Sequence, residues 1–135
     1  MAVSVTHDPL AAPCPCGLAA SYGACCGRWH DGPLRLQAPT PRLLMRSRYS
    51  AYVLGLQAYL LDSWHPATRP SAIEPRPPGL RWLGLELRGE RQLDADHATV
   101  EFVARSKLDG RAHRLHETSL FERVDGRWLY LSALA

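Results

Sequence analysis

A chain of 135 residues with 46% hydrophobic and 21% charged side chains has room for one core of helices packed on a sheet and none for a second full domain. That composition excludes a disordered chain. The net charge of +3, sixteen basic against thirteen acidic side chains scattered along the whole length, lacks the basic run that neutralises adjacent phosphates, so nucleic acid is not an expected partner.

Residues 1–13 read as a loose tail with neither a basic n-region nor an apolar run of signal-peptide length, and no later segment could span a bilayer. The expected location is therefore cytoplasmic, with no membrane partner. A reducing compartment disfavours structural disulfides, which bears directly on the next segment.

All four cysteines fall between residues 14 and 27, as Cys14-x-Cys16, eight residues, then Cys25-Cys26. Pairing neighbours at these spacings leaves too little chain for relaxed disulfide geometry. Four convergent thiolates suit a tetrahedral zinc with no open position, so the expected cofactor is one structural zinc per chain. An iron–sulfur cluster could use the same four donors. Pro15 stiffens the first pair, Gly17 frees the turn around the metal, and Ser21 is placed to cap a short helix that presents Cys25 and Cys26. The rest of the chain, with its own apolar core, is expected to stay folded when Cys25→Ser releases the metal.

Helical signals begin at Thr40, a good N-cap, followed by Pro41 at the position where no N–H is needed. Leu44, Met45, Tyr49, Tyr52, Val53 and Leu56 recur at three- and four-residue spacing, which predicts one apolar face. Gly55 breaks the run, and a second short helix with Tyr59 and Leu60 ends before His65-Pro66. A proline-containing connector spans residues 66–79. From Leu80 the period becomes two, with Leu83, Leu85 and Leu87 alternating against Trp82, Glu86 and Arg88, followed by runs at 98–105, 113–123 and 127–132. Asp109-Gly110 and Asp125-Gly126 predict tight hairpins. The result is an α+β fold, helices covering a four-stranded antiparallel meander.

Arg48 falls on the apolar stripe of the first helix. A guanidinium there needs a buried carboxylate or a cavity, and Glu117, on the strand face shared with Leu115 and Phe121, is the expected partner ahead of Glu86. An ion pair fixing helix against sheet is the first reading, and a ligand pocket formed by Arg48, Tyr52, Trp64, His65 and Glu117 is the second. His116 points to the opposite face from Glu117 and cannot form a dyad with it. His65 could approach Glu117, or cap helix carbonyls beside Pro66. No catalytic residue is assigned. Trp64, Tyr52, Trp82 and Trp128 supply more aromatic bulk than one helical layer needs, which predicts that some of it lines a pocket.

The segment Cys14-Pro15-Cys16-Gly17 through Tyr22 to Cys25-Cys26-Gly27 resembles the SEC-C motif, a zinc knuckle. Leu44-Met45-Arg46-Ser47-Arg48-Tyr49-Ser50-Ala51-Tyr52-Val53, Trp64-His65-Pro66, Trp82-Leu83-Gly84-Leu85, Val100-Glu101-Phe102-Val103-Ala104-Arg105, His116-Glu117 and Asp125-Gly126-Arg127-Trp128 are similar to the YchJ family of uncharacterised bacterial proteins. Where the motif usually reads Ser-Gly-Lys, this chain has Leu18-Ala19-Ala20, which lowers the basic character of the knuckle. The resemblance implies a knuckle at 14–27 and a cystatin-like, nuclear transport factor 2-like domain at 28–135, whose curved sheet leaves a cavity under the helices. It assigns no activity, since one fold hosts many. The expected role is a protein-interaction or adaptor module that recognises a protein partner through the knuckle, with a small-molecule ligand or enzyme site in the cavity second and RNA or ribosome binding third.

Overall fold

The computed structural model describes residues 8–134. Three helices, α1 (Gly27–His30), α2 (Pro41–Leu54) and α3 (Gln57–Asp62), precede four strands, β1 (Arg81–Asp94), β2 (His97–Leu108), β3 (Arg111–Val124) and β4 (Arg127–Leu134). The strands form one antiparallel sheet in sequential order. No helix among the described residues is long and apolar enough to cross a membrane.

Local chemistry explains the helix boundaries. The Thr40 side chain accepts from the Leu43 N–H at 3.2 Å and Pro41 opens α2, filling positions that would otherwise leave N–H groups unpaired. Gly55 closes it at φ 74°, the left-handed cap that glycine adopts without a Cβ clash. Leu44, Met45, Arg48, Tyr49 and Ala51 form its buried stripe. The loose-tail reading of residues 1–13 needs correction from Asp8 onward. The Asp8 carboxylate accepts from the Leu10 N–H, a 3₁₀ turn forms at Pro9–Ala11, and Pro13 bridges Ser21. Residues 1–7 lie outside the described residues. Ser21 does sit at the N-cap of the 3₁₀ turn Tyr22–Ala24, but its side chain makes no capping bond.

Both Asp-Gly turns adopt positive φ at both residues, 51° and 80° at Asp109-Gly110 and 51° and 79° at Asp125-Gly126. Such turns match the twist of the strands they join. Gly126→Ala is expected to cost about 1 to 2 kcal/mol, the penalty of a Cβ in the left-handed region, readable as a lower urea midpoint at unchanged m-value.

Strand β1 departs from simple alternation. A bulge between Trp82 and Gly84 breaks the register and puts two consecutive steps against one on β2. Trp82, Leu85 and Leu87 are thereby half-buried against the core, whereas Leu83 is 52% exposed. Glu86 does not share the Trp82 face. It is exposed, pairing with Arg88 and Arg105 at 3.4 Å each.

Candidate functional site

The cysteines come together through two turns and the start of α1. Gly27, directly after Cys26, has no room for a side chain, since a Cβ would meet the Tyr22 carbonyl at 2.7 Å. Cys14, Cys16, Cys25 and Cys26 are all buried, with their sulfurs within 4.8 Å of one another and the Cys16 and Cys25 Sγ atoms 3.6 Å apart. Sulfurs bound at about 2.3 Å around a tetrahedral ion lie roughly 3.8 Å from one another. The donor set fits a metal ion, and the cluster can hold one. Without a cation the four cannot all ionise. Thiol hydrogen bonds from Cys16 and Cys26 hold Cys14 far below its ordinary value, while burial, then Cys14 and Cys16, push Cys25 up to about 12. Cys26 is pushed up as well, first by its bond to Cys14.

The knuckle is part of the main core. Cys14 Sγ lies 3.7 Å from Ser50 Oγ on α2, and Arg46 donates to the Cys16 carbonyl at 2.9 Å. His30, buried and absent from the residues marked out by sequence, links the same parts. Its Nε2–H donates to the Ser47 carbonyl at 2.7 Å, so Nδ1 accepts from the Tyr22 hydroxyl at 2.5 Å. Burial lowers the His30 pKa and, with the Cys26 and Cys14 charges, raises the Tyr22 phenol to about 12. Both shifts favour that neutral arrangement. The sequence signal for it was a histidine four residues past Cys26.

Between α2, α3 and the concave side of the sheet lies a cavity of about 400 Å³. Arg48, Tyr52, Trp64 and Glu117 line it, whereas His65 is not among its walls. His65 Nδ1 instead accepts from the Ala67 N–H at 3.0 Å and Nε2 lies 3.3 Å from Glu122. It neither caps helix carbonyls nor meets Glu117. Of the four aromatic residues weighed for the lining, Tyr52, Trp64 and Trp82 contribute and Trp128 does not. Trp128 is buried with the Arg123 guanidinium 5.5 Å from its ring centre. His116 faces away from the cavity, as expected, and pairs with Glu101 at 2.6 Å.

Arg48 is 3% exposed, but its expected partner is wrong. No carboxylate oxygen among the described residues lies within 4.0 Å of its guanidinium. Nη1 donates to the Leu60 carbonyl at 2.9 Å and to Ser63 Oγ at 2.6 Å, and the Tyr130 and Trp64 rings lie 4.6 and 5.0 Å away. The Glu117 Oε2 accepts from Ser119 at 2.6 Å instead. Backbone pairing explains the preference. The chain leaving α3 runs beside β4, with Tyr130 N–H to Ser63 O at 2.9 Å and His65 N–H to Tyr130 O at 2.7 Å, which holds Ser63 and Trp64 against Arg48. Burial lowers the Arg48 pKa while the Tyr52 and Tyr130 hydroxyls favour its charge, and a guanidinium stays protonated in either balance.

Sequence reasoning missed the cavity's outer wall. Ile73, Pro75, Arg76 and Pro77 of the connector line it, and Arg76 pins the segment by donating to the Val53 and Leu80 carbonyls at 2.7 and 2.9 Å. The signal was Ile73, an apolar side chain among prolines.

Comparison with known proteins matches residues 40–133 to a family model described as "YchJ, middle NTF2-like domain". A UPF0225 protein of Methylibium petroleiphilum is 61% identical over 131 residues, covering 97% of this chain and 93% of the relative. A UPF0225 protein of Bordetella bronchiseptica is 54% identical over 125 residues, 93% and 94% of the two chains. Among solved structures, the SEC-C motif containing protein RPA3114 of Rhodopseudomonas palustris superposes with a TM-score of 0.73 at 30% identity, covering 90% of this chain and 97% of that one. A SEC-C motif containing protein from Psychrobacter arcticus gives 0.70 at 28% identity, covering 89% and 79%.

Proposed function

The chain belongs to the YchJ family, and from that premise we propose that it is a zinc-stabilised protein that binds a small molecule in the cavity beneath α2. Zinc fits the knuckle because four buried thiolate donors fill a tetrahedral shell and leave no position for substrate. The metal is then structural, and chemistry or recognition falls to the rest of the molecule.

The observation that carries the ligand reading is the cavity, about 400 Å³, with a buried arginine in its wall that contacts no carboxylate among the described residues. Ligand sites span about 300 to 1,000 Å³ and set a few polar groups among apolar walls. A domain serving only as a scaffold for the knuckle would gain stability from filling that volume. Recognition of a protein partner through the knuckle is the second reading, supported by Leu10 and Leu18, which are 55% and 38% exposed. It ranks lower because the inward side of the knuckle is already spent on the core.

Elemental analysis of freshly purified, reduced protein is expected to give one zinc per chain, and iron in its place would defeat the zinc assignment. A thermal-shift screen of small organic molecules is expected to give stabilising hits that vanish in Ala104→Phe, since Ala104 lines the cavity and the larger ring would occupy it. Hits indifferent to that change, or none at all, would defeat the cavity reading.

A further inference from the structure

We infer that the cavity takes a small organic monocarboxylate with an apolar, aryl-sized body, its carboxylate seated on the free edge of Arg48. This rests on the cavity being a ligand site and names what that site selects.

The first observation is a buried charge that no carboxylate contacts. Arg48 is 3% exposed, lines the cavity and has no carboxylate within 4.0 Å among the described residues. A charge removed from water without an opposite charge is costly, and the two neighbouring aromatic faces return only part of that. Nη1 is spent on Leu60 and Ser63 and the Tyr52 hydroxyl also sits beside the guanidinium, whereas neither Nε nor Nη2 makes a hydrogen bond within 3.5 Å to a described residue. Those two nitrogens form one edge of the planar fork, and two parallel N–H donors match the two oxygens of a carboxylate.

The second observation is independent of the charge. Trp64 Nε1 and Trp82 Nε1 are buried N–H groups without a partner among the described residues, and both residues line the same cavity. Buried donors in native proteins are nearly always paired. Here two are left over in residues that line the same cavity as Arg48, and an acceptor-rich occupant would answer them. Met45, Tyr49, Phe102 and Ala104 give the apolar remainder of the wall, suited to an aryl or branched alkyl body.

Glu117 sets the charge of that occupant. Its carboxylate faces the same cavity, held by Ser119, and burial with the Glu117 charge raises the Tyr130 phenol to about 12. Tyr130 thus senses both the Arg48 and the Glu117 charge. Glu74 lines the cavity as well, and against these two carboxylates a second negative charge on the ligand would be repelled, which argues against dicarboxylates and phosphate esters.

The test is calorimetric titration of the zinc-loaded full chain with 3-phenylpropionate, its neutral amide 3-phenylpropionamide, and phenylsuccinate. The acid is expected to bind at least about tenfold more tightly than the amide, the value of charge-assisted hydrogen bonds over neutral ones, and phenylsuccinate more weakly than either. In Arg48→Met the acid's advantage is expected to disappear; if that variant fails to fold, Trp82→Phe, which removes one unpaired N–H, should lower acid affinity several-fold. Equal affinity for acid and amide, or acid binding unchanged in the folded variant, overturns the monocarboxylate assignment. If neither compound binds while Ala104→Phe still abolishes other screening hits, the ligand class is wrong and the cavity reading stands; if those hits fail too, both fall.

Discussion

Chelating the metal, or replacing Cys25 by serine, is expected to unfold the chain as a whole rather than to loosen residues 14–27 alone. From sequence, the knuckle reads as a detachable unit whose loss spares the rest. The packing argues otherwise, because the four cysteines and Trp29 belong to one continuous buried cluster with Leu44, Met45 and Tyr59, and Ser50, Arg46 and His30 bond across the junction. A structural zinc site contributes on the order of 10 kcal/mol or more in zinc-finger peptides, against a typical total stability of about 5 to 15 kcal/mol. The expected loss on metal removal is therefore on the order of 5 kcal/mol or more. Chelator titration followed by circular dichroism in the strand region and by tryptophan fluorescence should show one shared transition. A sheet signal that persists after the zinc has left would restore the independent knuckle.

Phe121→Ala is expected to cost about 3 to 5 kcal/mol, the range for removing a fully buried phenylalanine. Phe121 is 0% exposed on β3, opposite Ala98 and tilted edge-on to Tyr130 with ring centroids 5.9 Å apart. Its truncation would open a void at the layer where helices meet sheet. Leu83→Ala, by contrast, should change stability by less than about 0.5 kcal/mol, the usual range for surface positions. Urea unfolding of the two variants side by side gives the comparison, and a large effect at Leu83 would mean that the β1 bulge is misplaced.

Elements whose causes are local could be read from the residues alone. Thr40-Pro41 and Gly55 bound α2, and the two Asp-Gly pairs set hairpin turns, because capping and positive φ are properties of a few consecutive residues. The four cysteines announced their own cluster, since thiolates within thirteen residues in this order have few other uses. The inward turn of Arg48 was likewise legible from helical spacing. What Arg48 meets was decided only in three dimensions. Whether a strand residue reaches a helix residue depends on register and on backbone pairing far along the chain, and here the pairing of Ser63 and His65 with Tyr130 put a hydroxyl and two aromatic rings where a carboxylate was expected. The bulge at Trp82 and Gly84 reversed the facing of Leu83, because a single extra residue inverts a period-two pattern and leaves no composition signal. The connector at 66–79 became a cavity wall through residues 73–77. Proline content specified that it was no helix or strand, and only the Arg76 contacts with Val53 and Leu80 fixed where it lies.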